Sequence, residues 1–244
     1  MQRYFVKQEN CSTSDVRIIG QDLHHIRNVM RMKKGTEAVI VDEIRNVHLA
    51  QLREFTDDAV FFDFVKVLSA EEEGYDVTIA QAMIKKDRFE LMLEKATELG
   101  VQAIIPTAFS RSVVKIDPID APRKRERFQL IVKEAAEQSQ RSTIPEVGPI
   151  TLLKDLPLTA FDRVFVCYEA ATAADGLPSL LASVQRTDRL LFLIGPEGGI
   201  TPEELADLTS RGVIVCGLGS RILRSETASI YLLSVLNHLW EANR

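Results

Sequence analysis

The sequence predicts a two-part α/β protein, with a small β-rich barrel domain ahead of a larger domain whose mostly parallel sheet is covered on both faces. Three observations predict it. Short apolar runs with one helical interruption occupy residues 1–68, strands and helices alternate strictly from Val77 onward, and the acidic, Gly-terminated segment Ser69-Ala-Glu-Glu-Glu-Gly74 separates the two. The boundary is placed there, giving domains 1–72 and 73–244. A chain of 244 residues accommodates two unequal cores.

In the first part, β-branched and aromatic residues predict strands at Arg3–Lys7, Val16–Ile19, Glu37–Val41, Val47–Arg53 and Ala59–Leu68, with a helix from about Asp22 to Met32. In the second, strand Val77–Met83 leads into helix Arg88–Leu99. On that helix Phe89, Met92, Leu93, Ala96 and Leu99 keep helical spacing, and Gly100 stands at the stop position. Strand Ala103–Phe109, helix Pro122–Arg141, strand Val164–Tyr168, helix Pro178–Val184 and strand Leu190–Ile194 follow. Thr201-Pro-Glu-Glu204 reads as a capping box opening helix Pro202–Ser210. Strand Val213–Leu218 and helix Thr227–Trp240 complete the series, and such alternation implies a parallel sheet.

Bulk properties exclude more than they assign. Hydrophobic residues make up 45% and charged residues 27%, as in an ordinary globular protein. A net charge of -5 does not mark a nucleic-acid binder, so that case must rest on local patches. The start, Met1-Gln-Arg-Tyr-Phe-Val-Lys7, lacks a continuous apolar region and no later run is long enough to span a bilayer; a cytoplasmic location is expected. The three cysteines form no CxxC pair, and Cys167 and Cys216 lie in apolar runs, as buried small hydrophobes do. No metal is expected.

Ligands of open α/β sheets bind beyond the carboxyl ends of strands, which brings forward the segments after Ile194 and Leu218. They read Leu193-Ile-Gly-Pro-Glu-Gly-Gly199 and Gly217-Leu-Gly-Ser-Arg-Ile-Leu-Arg-Ser-Glu-Thr227. Either alone is explained by a tight turn; two on separate strands point to a site. Glu197, Glu203 and Glu204 crowd the helix end where a phosphate would sit, and neither segment matches GxGxxG or GxxxxGK[ST]. A ligand with an adenine ring, a positive centre and no phosphate fits better, and S-adenosylmethionine has that description. Elsewhere, His24, Arg27, Arg31 and Lys34 recur at intervals of three and four, with Lys33 adjacent. This basic stripe is either a solvated helix face or a phosphate-contacting surface. A second patch, Arg111, Lys115, Arg123, Lys124, Arg125 and Arg127, is diluted by Asp117, Asp120 and Glu126. His24 and His25 have no third ligand at metal spacing.

Together, Leu193-Ile-Gly-Pro-Glu-Gly-Gly199 and Leu218-Gly-Ser-Arg-Ile-Leu-Arg-Ser-Glu-Thr-Ala228 closely resemble the small-subunit ribosomal RNA methyltransferase E family of the SPOUT superfamily. The resemblance also includes Arg3-Tyr-Phe-Val6, His24-His-Ile-Arg-Asn-Val-Met-Arg31, Lys95-Ala-Thr-Glu-Leu-Gly100 and Glu134-Ala-Ala-Glu-Gln-Ser-Gln-Arg141. It implies a PUA-like N-terminal domain, a C-terminal SPOUT-type domain with a trefoil knot, a homodimer, and S-adenosylmethionine-dependent N3 methylation of one uridine in 16S ribosomal RNA. Gln140 departs from the pattern, standing where relatives often carry glycine, which leaves the end of that helix open.

On that reading the cofactor would be held by Tyr168, Leu193, Ile194, Gly195, Gly198, Gly199, Leu218, Gly219, Ser220, Ile222 and Leu223. Uracil N3 carries a proton at neutral pH, so the enzyme must help remove it and stabilise the anion over O2 and O4. Arg224 and Arg141 are the candidates for the second task; Glu197 is either the base, a partner of Arg224, or a loop brace. Arg3, Arg27, Arg31, Lys33 and Lys34 would contact RNA, 16S ribosomal RNA or the small ribosomal subunit being the partner. Related activities on ribose 2′-oxygen or guanosine, and a non-catalytic RNA-binding role, stay open. In the last helix Leu232, Val235 and Leu239 form one apolar stripe and Ile230, Leu233 and Trp240 another; the second is expected to face a partner subunit, the alternative being a helix wedged in its own core.

Overall fold

A computed structural model describes residues 1–70, 74–114, 117–171, 176–182 and 184–242. Contacts divide the chain into two compact units, Met1–Glu72 with Ala136–Thr143, and Glu73–Ala135 with Ile144–Arg244.

The first unit contains β1 (Arg3–Val6), β2 (Asp15–Ile18), α1 (Gly20–His24), β3 (Glu37–Asp42), β4 (Val47–Phe55) and β5 (Val60–Leu68). They form a five-stranded sheet in the order β1-β3-β4-β5-β2, with β1 parallel to β3 and the other pairs antiparallel. Period-2 alternation turns Tyr4, Val6, Val16, Ile18, Leu52, Val60 and Phe62 inward, onto Leu23 and Ile26. The predicted helix over Asp22–Met32 is corrected. Five α-helical residues give way to a π-helical stretch, His25–Val29, and Arg31 then adopts φ +50°. A π turn carries more residues than an α turn, so the three-and-four spacing of the basic stripe does not produce one face. Arg31, Lys33 and Lys34 lie beyond the helix. Residues 136–143 join this unit through Arg3 Nη1, which donates to the Arg141 carbonyl at 2.6 Å, and Gln140 Nε2, which donates to the Met1 carbonyl at 3.1 Å.

The second unit runs β6 (Asp76–Ala82), α2 (Lys86–Glu98), β7 (Ala103–Ala108), α3 (Ala121–Gln138, its last residues falling in the first unit), β8 (Glu146–Val147), β9 (Thr151–Leu152), β10 (Arg163–Cys167), α4 (Leu177–Leu181), β11 (Arg189–Ile194), α5 (Pro202–Ser210), β12 (Ile214–Cys216) and α6 (Ser225–Ala242). Its seven strands are all parallel, in the order β12-β10-β11-β6-β7-β8, with β9 also paired to β7. The continuous apolar runs divide between two faces. Val77, Ile79, Leu190 and Phe192 pack with Leu93 of α2 and Leu232 of α6, whereas Ala80, Ala82, Leu191 and Leu193 pack with Leu208 of α5.

Two expectations about helices change. α3 ends at Gln138, and Gln140 adopts φ +62° while Arg141 N–H donates to the Ala136 carbonyl and Gln140 N–H to that of Glu137, a Schellman close with glutamine in the position that favours glycine. In α6, Leu233 and Trp240 are 1% and 8% exposed. Trp240 packs edge-on to Tyr75 at 5.4 Å between ring centroids, beneath the Arg186 guanidinium at 4.4 Å. Two of the three residues of the second stripe are therefore buried within the chain itself rather than left for a partner, and Ile230 is half-buried. No described helix is long and apolar enough to cross a membrane.

Candidate functional site

From β11 the chain passes over β10 to reach β12, so the segments after β10, β11 and β12 meet at one edge of the sheet, where the strand order reverses. Tyr168 N–H donates to the Cys216 carbonyl (3.0 Å) and Leu177 N–H to that of Gly217 (3.1 Å), tying the first and third segments together. The second and third are tied by a buried relay. Gln81, at the end of β6, donates through Nε2 to Ser225 Oγ at 2.8 Å, and Ser225 Oγ donates to the Gly195 carbonyl at 2.6 Å. Ser229 Oγ donates to Gln81 Oε1. The helix following the second glycine segment is thus pinned to the first, with its polar groups paired out of water.

These segments enclose a cleft of about 590 Å³. Of the residues expected at a cofactor site, Tyr168, Ile194, Gly195, Gly198, Gly199, Leu218, Gly219, Ile222 and Leu223 line it, as do Arg224 and Glu197. Leu193 and Ser220 do not; Leu193 is fully buried in the core. Gly199 holds φ +74°, and a Cβ there would lie 3.2 Å from Glu169 Oε1, so glycine leaves open a space that a side chain would take. The capping box is formed: Glu204 N–H donates to Thr201 Oγ1 at 3.1 Å, and the Glu204 carboxylate accepts from Thr201 N–H at 3.0 Å and Ser110 N–H at 2.8 Å.

The charges differ from the expected pairing. Glu197 is held by Arg88 Nη1 at 3.5 Å, not by Arg224, and Arg88 Nε also lies 3.7 Å from Glu226 Oε1. Among the described residues neither Arg221 nor Arg224 has a side-chain partner, and both are exposed on the cleft. Glu169 is likewise exposed there. Cys167, which also lines the cleft, hydrogen-bonds its neighbour Cys216; that bond and burial push its thiol well above the usual range, which disfavours a thiolate. Among the described residues no group of three or more His, Cys, Asp or Glu is placed to hold a metal.

Arg141 is not among the lining residues. It belongs to the first unit, is 8% exposed, and donates through Nη2 to Thr143 Oγ1 at 3.2 Å. Arg3 is committed to the Arg141 carbonyl, and Arg27 to the Asp57 and Thr56 carbonyls and the Phe55 ring. Arg31, Lys33 and Lys34 are exposed. In the second patch Arg111 donates to the Gly198 carbonyl, Arg125 to that of Val147, and Arg127 to both Glu90 oxygens, so of these three only Arg127 meets a carboxylate by hydrogen bond; Lys115 lies outside the described residues.

Sequence reasoning missed Gln81, Arg88, Glu169, Arg221 and Ser225. Gln81 had a signal, a polar side chain inside the apolar run Val77-Thr-Ile-Ala-Gln-Ala82, because a buried amide requires partners. Arg88 had none, since its carboxylates are distant in sequence.

The cleft suits S-adenosylmethionine: Ile194, Ile200, Leu218 and Leu223 offer apolar surface to a flat ring, and Glu169 and Glu197 tolerate a positive centre. Comparison with known proteins agrees. An RNA methyltransferase domain model matches residues 71–237, and an RNA methyltransferase PUA domain model matches residues 18–65. The chain is 36% identical over 253 residues to ribosomal RNA small subunit methyltransferase E of Bacillus subtilis, covering 100% of this chain and 99% of that one. A crystal structure of ribosomal RNA small subunit methyltransferase E from Neisseria gonorrhoeae bound to S-adenosyl methionine superposes with a TM-score of 0.85 at 28% identity, covering 98% of both chains. A putative methyltransferase from Legionella pneumophila in complex with the cofactor gives 0.86 at 26% identity, covering 97% of both. The fold is thus a SPOUT-type methyltransferase domain with a PUA-like N-terminal domain, and the chain belongs to the ribosomal RNA small subunit methyltransferase E family.

Proposed function

We propose that this chain transfers the methyl group of S-adenosylmethionine to N3 of one uridine in 16S ribosomal RNA. The observation that carries the reading is the cleft built by both glycine segments at the strand ends, lined by Arg221 and Arg224, which have no side-chain partner among the described residues. The cofactor, when bound, supplies an electrophilic methyl on a positive sulfur. Backbone of the segments Ile194–Gly199 and Leu218–Leu223 would hold it, with Tyr168 alongside. Arg224, exposed and uncommitted, stabilises the uracil anion as N3 loses its proton. Of the two carboxylates that line the cleft among the described residues, Glu197 is engaged by Arg88, so the proton is assigned to Glu169. The catalytic task is assigned to Arg224, which lines the cleft.

Of the basic residues expected to contact RNA, Arg31, Lys33 and Lys34 are exposed and are assigned to RNA phosphate, whether in free 16S ribosomal RNA or in the small subunit. A cytoplasmic homodimer is proposed on family membership, with no part in it for Leu233 or Trp240 as surface residues; light scattering at micromolar concentration tests it. The activity is tested on 16S ribosomal RNA from cells lacking the gene, with mass analysis of the nucleosides produced. 3-Methyluridine is expected; a ribose-methylated or guanosine product overturns the assignment. Arg224→Ala is expected to lower kcat by about 10²–10³ while leaving cofactor affinity nearly unchanged. Failure of the wild-type protein to bind S-adenosylmethionine in calorimetry would favour a non-catalytic RNA-binding role instead.

A further inference from the structure

Arg88 sits in the first turn of α2, on a helix that packs against α6, and its side chain reaches two carboxylates from different segments. Glu197 belongs to the first glycine segment; Glu226 opens α6, two residues after Arg224. The guanidinium lies 3.5 Å from Glu197 Oε1 and 3.7 Å from Glu226 Oε1. Glu226 is 7% exposed, and its other oxygen, Oε2, is buried with no hydrogen-bond partner. A carboxylate so withdrawn from water is tolerated when a cation stands beside it, and Arg88 is the cation in contact. Lysine presents a single point of charge on a flexible stem, whereas the planar guanidinium can face two carboxylates at once.

We propose that Arg88 is a positioning residue that sets the spacing of the two glycine segments around the methyl donor, by bridging Glu197 on one to Glu226 at the end of the other. The inference rests on the reading of this cleft as the S-adenosylmethionine site. The Gln81 relay ties Ser225 to the Gly195 backbone on the inside of the same junction. Arg88 ties the side chains of Glu226, one residue beyond Ser225, and Glu197, two beyond Gly195, so the two links together fix both the separation and the rotation of the segments. Without Arg88, two carboxylates would repel each other across the mouth and the segments would part.

The test uses the full-length protein with Arg88→Met, Arg88→Lys, Glu197→Gln and the double variant Arg88→Met/Glu197→Gln. S-adenosylmethionine affinity is measured by calorimetry, KM and kcat by methyl transfer to 16S ribosomal RNA, and folding by thermal melting. Arg88→Met is expected to weaken cofactor affinity about tenfold and to raise KM for the cofactor in proportion, with kcat at saturation changed less than about threefold. Arg88→Lys should recover part of the affinity. The double variant should bind better than Arg88→Met, because one of the two stranded charges is gone. Cofactor affinity within about twofold of wild type in a folded Arg88→Met protein overturns the proposal, as does a loss confined to melting temperature. If Arg88→Met does not fold, the Arg88→Lys and Glu197→Gln proteins decide by the same KM-to-kcat split. Absence of cofactor binding by the wild type is a separate outcome, since it removes the reading of the cleft itself.

Discussion

Replacing Gln81 by leucine should separate the cost of a buried polar relay from the cost of altered packing. Gln81 is fully buried, accepts from Ser229 Oγ and donates to Ser225 Oγ at 2.8 Å. Leucine fills similar space but offers neither group. Ser225 keeps its 2.6 Å bond to the Gly195 carbonyl, whereas Ser229, itself 0% exposed, loses the acceptor on Gln81. One stranded buried hydroxyl costs about 1–3 kcal/mol, and the lost bond to Ser225 adds about 1 kcal/mol, so a loss of about 2–4 kcal/mol is expected. For a domain of this size that is a fall in Tm of roughly 4–16 °C. Ser229→Ala alone strands the Gln81 oxygen and should cost about 1–3 kcal/mol. In the double variant both partners of that bond are gone, and the cost should fall below the sum of the singles by about 1 kcal/mol or more. Denaturant titration of the four proteins measures the cycle. Strict additivity would refute the reasoning, because it would mean that the two side chains are not coupled.

Gly199→Ala should weaken cofactor affinity at least about tenfold while the protein still melts cooperatively, because φ +74° strains any side chain by about 1–2 kcal/mol and the new Cβ would meet Glu169 Oε1. Gly212→Ala is the control, since φ is +84° there with nothing within 4 Å; it should lose stability and keep cofactor affinity in calorimetry. At Gln140, φ +62° makes glycine the relaxed choice, but the side chain also donates to the Met1 and Glu137 carbonyls. Stability in denaturant should therefore run Gln140→Gly at or slightly above wild type, by up to about 1 kcal/mol, and Gln140→Ala below both. Arg127 holds the Glu90 carboxyl below its usual 4.5, so the stability from this bridge between α2 and α3 is fully present above pH 4.5 and is lost as pH falls through the lower folded value. Melting curves of wild type and Glu90→Gln should differ at pH 7 and converge in acid; a gap that persists at pH 2 would contradict the linkage.

The parts of the fold legible from sequence were those where a local signal and a tertiary outcome coincide. Leu190–Ile194 is apolar at every position, and the structure buries alternate residues on opposite faces of the sheet, as a doubly covered parallel strand requires. Thr201 and Glu204 form both halves of the predicted capping box, because a cap needs nothing beyond its own turn. β8 and β9 are two residues each, too short for any periodicity, and they exist through pairing with β7. The π stretch at His25–Val29 defeated the stripe argument for a related reason. Leu23 and Ile26 are both buried across this turn, while Arg31 leaves the face of Arg27 because the turn is π-helical and Arg31 itself is left-handed. α6 shows the reverse failure. An apolar circumference demands two packing partners, and the sequence does not say that α2 and the sheet, both from the same chain, supply them.

Of the three carboxylates that crowd the start of α5 in the sequence, Glu197, Glu203 and Glu204, the Glu204 carboxylate is used up by Thr201 and Ser110 N–H groups within the cap and its neighbouring turn. Glu197, in the segment after β11, lines the cleft together with Glu169 from the segment after β10, while the segment after β12 contributes Arg221 and Arg224. Arg88 stands beside both Glu197 and Glu226, and among the described residues lining the cleft Glu169, after β10, and Arg221 and Arg224, after β12, have no side-chain partner. Charge segregated in this way favours a cationic donor near the first and a polyanionic acceptor near the second, and each is drawn by the sign it lacks. Salt should therefore weaken RNA binding far more than S-adenosylmethionine binding, because the former releases several counterions and the latter does not. Equal salt slopes for the two ligands would mean that the arginines after β12 do not face the RNA.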